Sequence, residues 1–369
     1  MKAINPGHFL LTCRLDNWVH LLEENHFHIA RDRLPQALYI SATALALAPA
    51  AAAESLIYRK RIRETKIEKD PIFILGHWRS GTTYLQNVLS RDEQFGWFAP
   101  VNTIGLPYSL LLGRLIQPPI EKGIRNGRPQ DNVQYSLDLP MEETFGVLTI
   151  SPYSIIHMIA FPENYKKYIE GAFVSDLPVE ELRKWERSYD YAVRKLTYIK
   201  KGKQLILKSP DNTARIRELW GMYPDARFIN IHRDPYKTVR STIHMFRTEM
   251  DSLRLTEEPD NIDELIEIFE RMYRELFELE GFFPKNRYVD IAYTDFCRAP
   301  VDTLRDIYRR LELSGFEAAA PRFQAYVDSQ RGYQKNKFDI SPRLVRKINA
   351  KLGFYMEHYG YEMREVEEE

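Results

Sequence analysis

The sequence predicts an α/β fold, a doubly wound parallel sheet with helices on both faces, preceded by a helical N-terminal extension. Short apolar runs such as Pro71-Ile-Phe-Ile-Leu75 and Arg227-Phe-Ile-Asn-Ile231 have the length and continuity of strands covered on both sides. Each gives way to a helical pattern, and strands alternating with helices imply parallel pairing through crossovers. Three of these strands end in turns rich in Gly, Ser or Arg, at the strand ends where such sheets place ligands.

The elements follow in order. Residues 1–70 read as a helical, partly apolar extension that closes with a basic-acidic helix, Tyr58 to Lys69. The first strand runs from Pro71 to Leu75 and stops at Gly76-His-Trp-Arg-Ser-Gly81-Thr82-Thr83, with Tyr84, Leu85, Val88 and Leu89 marking the helix behind it. Residues 95–200 are less regular. Leu106 to Ile116 is apolar, Gly123 to Pro129 is a basic loop, a helix is expected from Met141 after Pro140, and Leu182 to Tyr198 is a polar-faced helix. The rhythm then returns. Gln204 to Lys208 is a strand leading into Ser209-Pro210-Asp211-Asn212, with a helix from Thr213 to Met222. The strand from Arg227 closes on His232-Arg233-Asp234-Pro235 and feeds a helix through Arg247. Tyr288 to Ala292 is a further strand, followed by a helix from Val301 to Leu311. The domain boundaries expected are therefore 1–70 for the extension and 71–369 for the α/β domain.

Composition narrows the function classes. The 369 residues are 44% hydrophobic and 12% aromatic, enough for a real core. Lys+Arg and Asp+Glu both number 52, so a whole-molecule field that attracts nucleic acid is not expected and any anion site must be local. Two cysteines, Cys13 and Cys297, make neither a disulfide framework nor a metal-ligand spacing, and the nine histidines show no HExxH-like pattern. No metal is expected, and a reducing cytoplasmic compartment is the default.

One segment disturbs the soluble picture. Leu34 to Ala53 is twenty residues without a charge, mostly alanine, with Pro35 and Pro49 inside it. Its length matches a membrane span, but the 33 mixed-charge residues before it do not resemble a signal peptide. A buried Ala-rich helix is the first reading. The alternative is an interfacial or membrane-dipping hairpin flanked by Arg59, Lys60, Arg61 and Arg63. That alternative expects peripheral membrane contact through residues 34–58, at the inner face of the membrane.

The turn at 76–83 carries the most chemistry. Gly76 and Gly81 let the backbone curl with its N–H groups inward, and the following helix offers its positive N-terminus. Ser80, Thr82 and Thr83 add hydroxyls and Arg79 adds charge. This is a P-loop-like phosphate cradle without the Walker lysine, since Thr82 stands where that motif places Lys. In the second turn, Pro235 opens a helix at a favoured position, Arg233 stands at the strand end, and Ser241 lies two helical turns on.

Together these turns resemble the PAPS-dependent sulfotransferases (PAPS is 3′-phosphoadenosine 5′-phosphosulfate), in particular the bacterial branch with a PRSGTT-like loop. Gly76 to Thr83 looks like that family's 5′-phosphosulfate loop, and Phe228-Ile-Asn-Ile-His-Arg-Asp-Pro235 through Ser241 is similar to its 3′-phosphate motif. Leu207-Lys-Ser-Pro210 resembles its strand-end Lys-Ser-Pro, and Tyr293-Thr-Asp-Phe296 with Pro300 its late acidic turn. The order and spacing match from about residue 71 to 312. The chain departs at Asn212, where this branch often carries His. The resemblance implies transfer of a sulfuryl group from PAPS, released as adenosine 3′,5′-bisphosphate, to a small-molecule hydroxyl acceptor. It implies Arg79, Ser80, Gly81, Thr82 and Thr83 around the 5′-phosphosulfate, and Arg233 and Ser241 on the 3′-phosphate. Lys208 would meet the bridging oxygen or the acceptor, and the basic segment Arg331-Gly-Tyr-Gln-Lys335 would supply Arg331 and Lys335 to the nucleotide. Residues 95–200 become the acceptor side.

An acceptor hydroxyl calls for a general base. Glu143, and after it Glu142, are the candidates, in a Pro-Met-Glu-Glu segment resembling one seen in this branch; both equally suit the dipole of a helix start. His77 and His157 stand behind them, the latter in a run typical of a packed core. Trp97, Phe98, Leu106, Tyr108, Leu110, Leu111, Phe145, Tyr153, Ile155, Ile156 and Phe161 crowd the acceptor side and suit a lipid- or sterol-like alcohol better than a sugar. Two other functions compete. A P-loop kinase of a small metabolite would need the absent lysine and a Mg²⁺-holding acid. A membrane-associated nucleotide-binding protein would keep the cradle without activity.

Overall fold

The computed structural model describes residues 3–124, 137–258, 265–331 and 339–365. Five strands form in it: β1 Ile72–Leu75, β2 Phe95–Gly96, β3 Gln204–Lys208, β4 Arg227–His232 and β5 Tyr288–Ala292. The chain divides into two compact units. One comprises Met1–Asp70, Gln94–Leu207 and Thr248–Pro259, the other Pro71–Glu93, Lys208–Arg247 and Asp260–Glu369.

The second unit is built on β1, β4 and β5, all parallel. Ile72 to Leu75 pair with Arg227 to Asn230, and Phe228 to His232 with Tyr288 to Ala292. Every β1 side chain is buried, which is why the run carries no alternation. The cross-strand partners Phe73 and Phe228 stack at 5.5 Å, and Phe283 continues the stack from Phe228 to Tyr288, as aromatic neighbours on a pleated face do. The C-terminal helix Pro342–Tyr359 starts on a Ser341 cap and ends at the left-handed Gly360. It buries Tyr355 against Tyr273 and Phe269 of the helix Leu265–Glu280.

In the first unit the parallel pair is β2 with β3, Phe95 opposite Gln204. The α/β class with parallel strands, helices and a helical extension is as the sequence predicts. Three local expectations need correction. The helix expected from Thr213 is preceded by a 3₁₀ turn, Pro210–Arg215, and α-helix begins at Ile216; the Asp211–Arg215 ion pair at 2.8 Å holds that turn. The helix expected from Met141 spans only Thr144–Val147. Tyr58 to Lys69 is no separate helix but the end of a 31-residue one, Leu34–Glu64. Of the basic loop Gly123 to Pro129, residues 125–129 lie outside the described residues.

For Leu34 to Ala53 that long helix corrects both expected shapes, the hairpin and the fully buried helix. It is no hairpin, because Pro49 sits inside continuous helix. Proline removes one N–H from the ladder, and at an exposed position water reaches the carbonyl left without its donor. Nor is it a buried helix: Gln36, Ala37, Ile40, Ala44, Glu54 and Ile62 face inward, whereas Leu38, Leu45 and Leu56 are 69%, 64% and 86% exposed. Glu54 anchors it. Its carboxylate accepts the backbone N–H groups of Leu110 and Leu111 at 2.8 and 2.9 Å, at the start of the helix Ser109–Ile124. Its other oxygen pairs with Lys195 of the helix Val179–Ile199, and both side chains are fully buried.

Candidate active site

The loop between β1 and the helix Thr82–Leu89 is shaped by three residues in the left-handed region: Gly76 (φ +138°), Arg79 (φ +67°) and Gly81 (φ +111°). The glycines are required twice over. A Cβ on Gly76 would lie 2.6 Å from the Ile231 carbonyl and 2.7 Å from Ser80 Oγ, and one on Gly81 would lie 2.3 Å from the Tyr293 ring. Arg79 has a Cβ and pays the strain of that conformation, about 1–3 kcal/mol.

Four contacts from distant chain segments hold the loop against that strain. Thr213 Oγ1 accepts the Gly76 N–H at 2.9 Å. Thr242 donates to the Trp78 carbonyl at 3.1 Å, and beside it Ser241 Oγ accepts from Arg79 Nε at 3.0 Å. Arg233 Nη1 donates to the Arg79 carbonyl at 2.9 Å. The 3′-phosphate pair expected from sequence, Arg233 and Ser241, is thus brought together through Arg79 itself. Arg233 is positioned in turn. Its guanidinium lies 4.5 Å from the centre of the Tyr293 ring, a cation–π distance. Its backbone N–H and carbonyl both bond the Tyr355 hydroxyl, at 3.1 and 2.9 Å. Asp234 caps the helix Pro235–Leu253 by accepting the Lys237 N–H at 3.1 Å.

Within this assembly Ser80 is 1% exposed and its Oγ has no hydrogen-bond partner among the described residues. A buried hydroxyl left so costs free energy that a bound acceptor would recover. The helix Thr82–Leu89 begins directly after Gly81, so its first N–H groups have no intrahelical acceptor. Lys208, buried at the end of β3, donates to Thr83 Oγ1 at 3.2 Å. Arg79, Ser80, Gly81, Thr82, Thr83, Lys208, Arg233 and Ser241 therefore form one connected cradle of hydroxyls, cations and backbone N–H groups. Arg331 is not tied to it by any described hydrogen bond; its side chain is 80% exposed and pairs with Asp328. Lys335 lies outside the described residues.

The candidate bases differ sharply. Glu143 is buried and accepts from the Tyr189 hydroxyl at 3.0 Å, while Glu142 is half-buried. His77 stacks on Phe269 at 4.2 Å, and burial pushes its pKa from 6.5 down to about 3. His157 faces the Ser151 carbonyl in the core, and burial takes it to about 4. Both are packed, neutral rings. On the acceptor side Phe98, Leu106, Tyr108, Ile155, Ile156 and Phe161 are core; Trp97, Leu110, Leu111, Phe145 and Tyr153 remain half-buried. Sequence reasoning missed Thr213, Thr242 and Tyr355, whose partners lie far along the chain, and gave Tyr293 no role beyond its turn.

The fold and site together are those of a parallel α/β protein whose first strand ends in a lysine-free, two-glycine turn, faced by an arginine from a second strand end. The sequence profile of the sulfotransferase family matches residues 71–318, and the chain belongs to that family. It is 28% identical over 353 residues, covering 95% of this chain and 90% of theirs, to the omega-hydroxy-beta-dihydromenaquinone-9 sulfotransferases of Mycobacterium bovis and Mycobacterium tuberculosis. Its fold matches two solved sulfotransferases, STF1 of Mycobacterium tuberculosis (TM-score 0.63, 14% identity, 92% of this chain and 93% of that one) and STF9 of Mycobacterium avium (TM-score 0.63, 17% identity, 95% and 98%).

Proposed function

We propose that the protein transfers a sulfuryl group from PAPS to the hydroxyl of a lipid-like alcohol. The observation that carries the reading is the cradle itself, in which a buried hydroxyl with no partner among the described residues, Ser80 Oγ, stands with Arg79, Arg233 and a helix N-terminus. This donor set fits the phosphosulfate and the 3′-phosphate of PAPS. Arg79, the Ser80 and Thr83 hydroxyls and the N–H groups from Gly81 onward hold the 5′ end. Arg233 holds the 3′-phosphate, and Ser241, whose oxygen already accepts from Arg79, has its proton to give. When bound, PAPS supplies an activated sulfuryl group and a phosphate leaving group. The residues that neutralise growing charge on that leaving phosphate are Arg79 and Lys208, fixed in place before reaction begins. Glu143 accepts the proton of the acceptor hydroxyl at its carboxylate, oriented by Tyr189. A lipid-like acceptor is supported by the menaquinone-derived alcohol in the name of relatives that the chain covers almost entirely, and by the half-buried aromatic and apolar residues of the 95–200 segment.

Calorimetric titration with adenosine 3′,5′-bisphosphate, ATP and GTP, each with EDTA and with Mg²⁺, tests the donor. Metal-independent preference for the bisphosphate is expected, followed by PAPS-dependent sulfation of a long-chain terminal alcohol detected by mass spectrometry. A preference for ATP that requires Mg²⁺ would overturn the reading in favour of a kinase.

A further inference from the structure

The helix Leu34–Glu64 leaves apolar side chains in water along the face that it does not pack against the protein. Among its exposed residues, Leu38, Ala42, Leu45, Pro49, Ala52 and Leu56 recur at alternating steps of four and three, with Tyr39, Ala46, Ser55 and Ile57 exposed beside them. That spacing places the recurring residues on one stripe. The stripe runs about 27 Å at 1.5 Å per residue, and from Leu34 to Tyr58 the one charged residue is Glu54, which is buried and paired. A soluble helix presents its polar face to water; this one presents leucines, with Leu56 at 86% exposure. Immediately past the stripe the exposed surface changes sign and chemistry. Arg59, Lys60, Arg61 and Arg63 are all exposed, against the one acid Glu64.

We infer that this face docks on an anionic lipid surface, with the helix lying in the plane of the interface. The leucine stripe enters the boundary between headgroups and acyl chains, and the cationic end meets the phosphates. Length and apolarity alone would also allow this helix to cross a membrane. Its opposite face rules that orientation out in the folded protein. Gln36, Ala37, Ile40, Ala44 and Ile62 are packed into protein along its length, and Glu54 is bound at once to Lys195 and to a helix N-terminus. Crossing would expose that carboxylate and lysine to hydrocarbon or tear them from their partners. A second copy of the chain is the other occupant an apolar stripe admits, but the four cations at its end favour an anionic surface over an identical, equally cationic one. This inference is independent of the sulfuryl donor and stands on the helix alone.

Flotation of the full chain with vesicles tests it. Binding is expected to vesicles of equal parts phosphatidylcholine and phosphatidylglycerol, and to be weaker on phosphatidylcholine alone. Leu45→Glu and Leu56→Glu should each lower binding at least about tenfold. Because both side chains already face solvent, their melting temperatures and bisphosphate affinity should match wild type, which separates failure of this inference from failure of the donor reading. Replacing Arg59, Lys60, Arg61 and Arg63 by Gln should cost about fivefold per cation on anionic vesicles and little on neutral ones. Sedimentation velocity without lipid should show a monomer. A dimer dispersed by Leu45→Glu would assign the stripe to self-association and overturn the inference. So would a wild-type monomer that stays free of anionic vesicles, or vesicle-bound protein that resists alkaline carbonate, the mark of a crossing helix.

Discussion

Gly81→Ala is the smallest change that tests the cradle as a connected assembly. The added methyl would sit 2.3 Å from Tyr293 Cδ2 and 2.7 Å from Cε2. Carbon–carbon contacts rest at about 3.5–4.0 Å, so the ring must retreat by more than about 1 Å. Tyr293 is the surface on which the Arg233 guanidinium lies, and Arg233 in turn bonds the Arg79 carbonyl. A displacement near 1 Å at a group that positions the donor costs about a hundredfold in turnover efficiency. Separately, alanine at φ +111° strains the backbone by about 1–3 kcal/mol, which thermal melting will register. The two effects separate in a double-mutant cycle. Removing the ring in Tyr293→Ala relieves the clash but not the strain, so Gly81→Ala should cost less bisphosphate affinity in that background, with a coupling of about 0.5–3 kcal/mol. Wild-type affinity in Gly81→Ala, or losses that simply add, would refute the account in which the glycine, the tyrosine and the arginine act as one unit.

Arg233→Ala should weaken bisphosphate binding by about 1.5–3 kcal/mol in calorimetry while turnover at saturating donor changes far less, since a contact to a non-reacting phosphate binds ground and transition states alike; unchanged affinity would remove Arg233 from the site. Glu143→Gln should leave bisphosphate affinity intact and lower turnover on an aliphatic alcohol by about a hundredfold or more, with a smaller loss on an acidic phenol and little effect from Glu142→Gln. Equal, mild losses in both variants on both acceptors would reduce these acids to helix-start residues. Lys195→Met strands the Glu54 carboxylate and should destabilise by about 3–5 kcal/mol in urea unfolding, with part regained on adding Glu54→Gln; a loss no larger than that of an exposed lysine would contradict the buried pairing. Burial holds His77 near 3 and His8, His157 and His232 near 4, against an ordinary 6.5. The unfolded chain therefore takes up protons that the folded protein refuses. Stability should be full above about pH 6.5 and fall below it by up to about 1.4 kcal/mol per pH unit for each such ring; a flat urea midpoint from about pH 7 to about pH 5 would count against their burial as neutral rings.

Much of this protein was legible in one dimension. The strand–turn–helix units at 72–89, 204–222, 227–253 and 288–310 were visible because continuous apolar runs, glycines demanding positive φ and a proline opening a helix all act within a few residues. The cradle at Gly76 to Thr83 was legible for the same reason: its curvature is a property of its own backbone. What supports the cradle was not. Thr213, 137 residues from the N–H it accepts, and Tyr355, 122 residues from Arg233, are an ordinary threonine and tyrosine until the chain folds, and no local pattern marks them. Tyr355 comes from the last fifty residues, which the family resemblance hardly reached.

The long N-terminal helix shows the limit most clearly. Its alanine-rich composition announced apolarity but could not say which side meets the protein. That was decided by Glu54, a lone acid whose partners sit on two other helices. Burying it with Lys195 fixes the rotation of the whole helix and turns Leu38, Leu45 and Leu56 outward. Patterning along a chain reports what a segment can bury. Which face is buried depends on partners that only folding brings near, because the cost of an unpaired buried charge outweighs the gain from burying any single leucine.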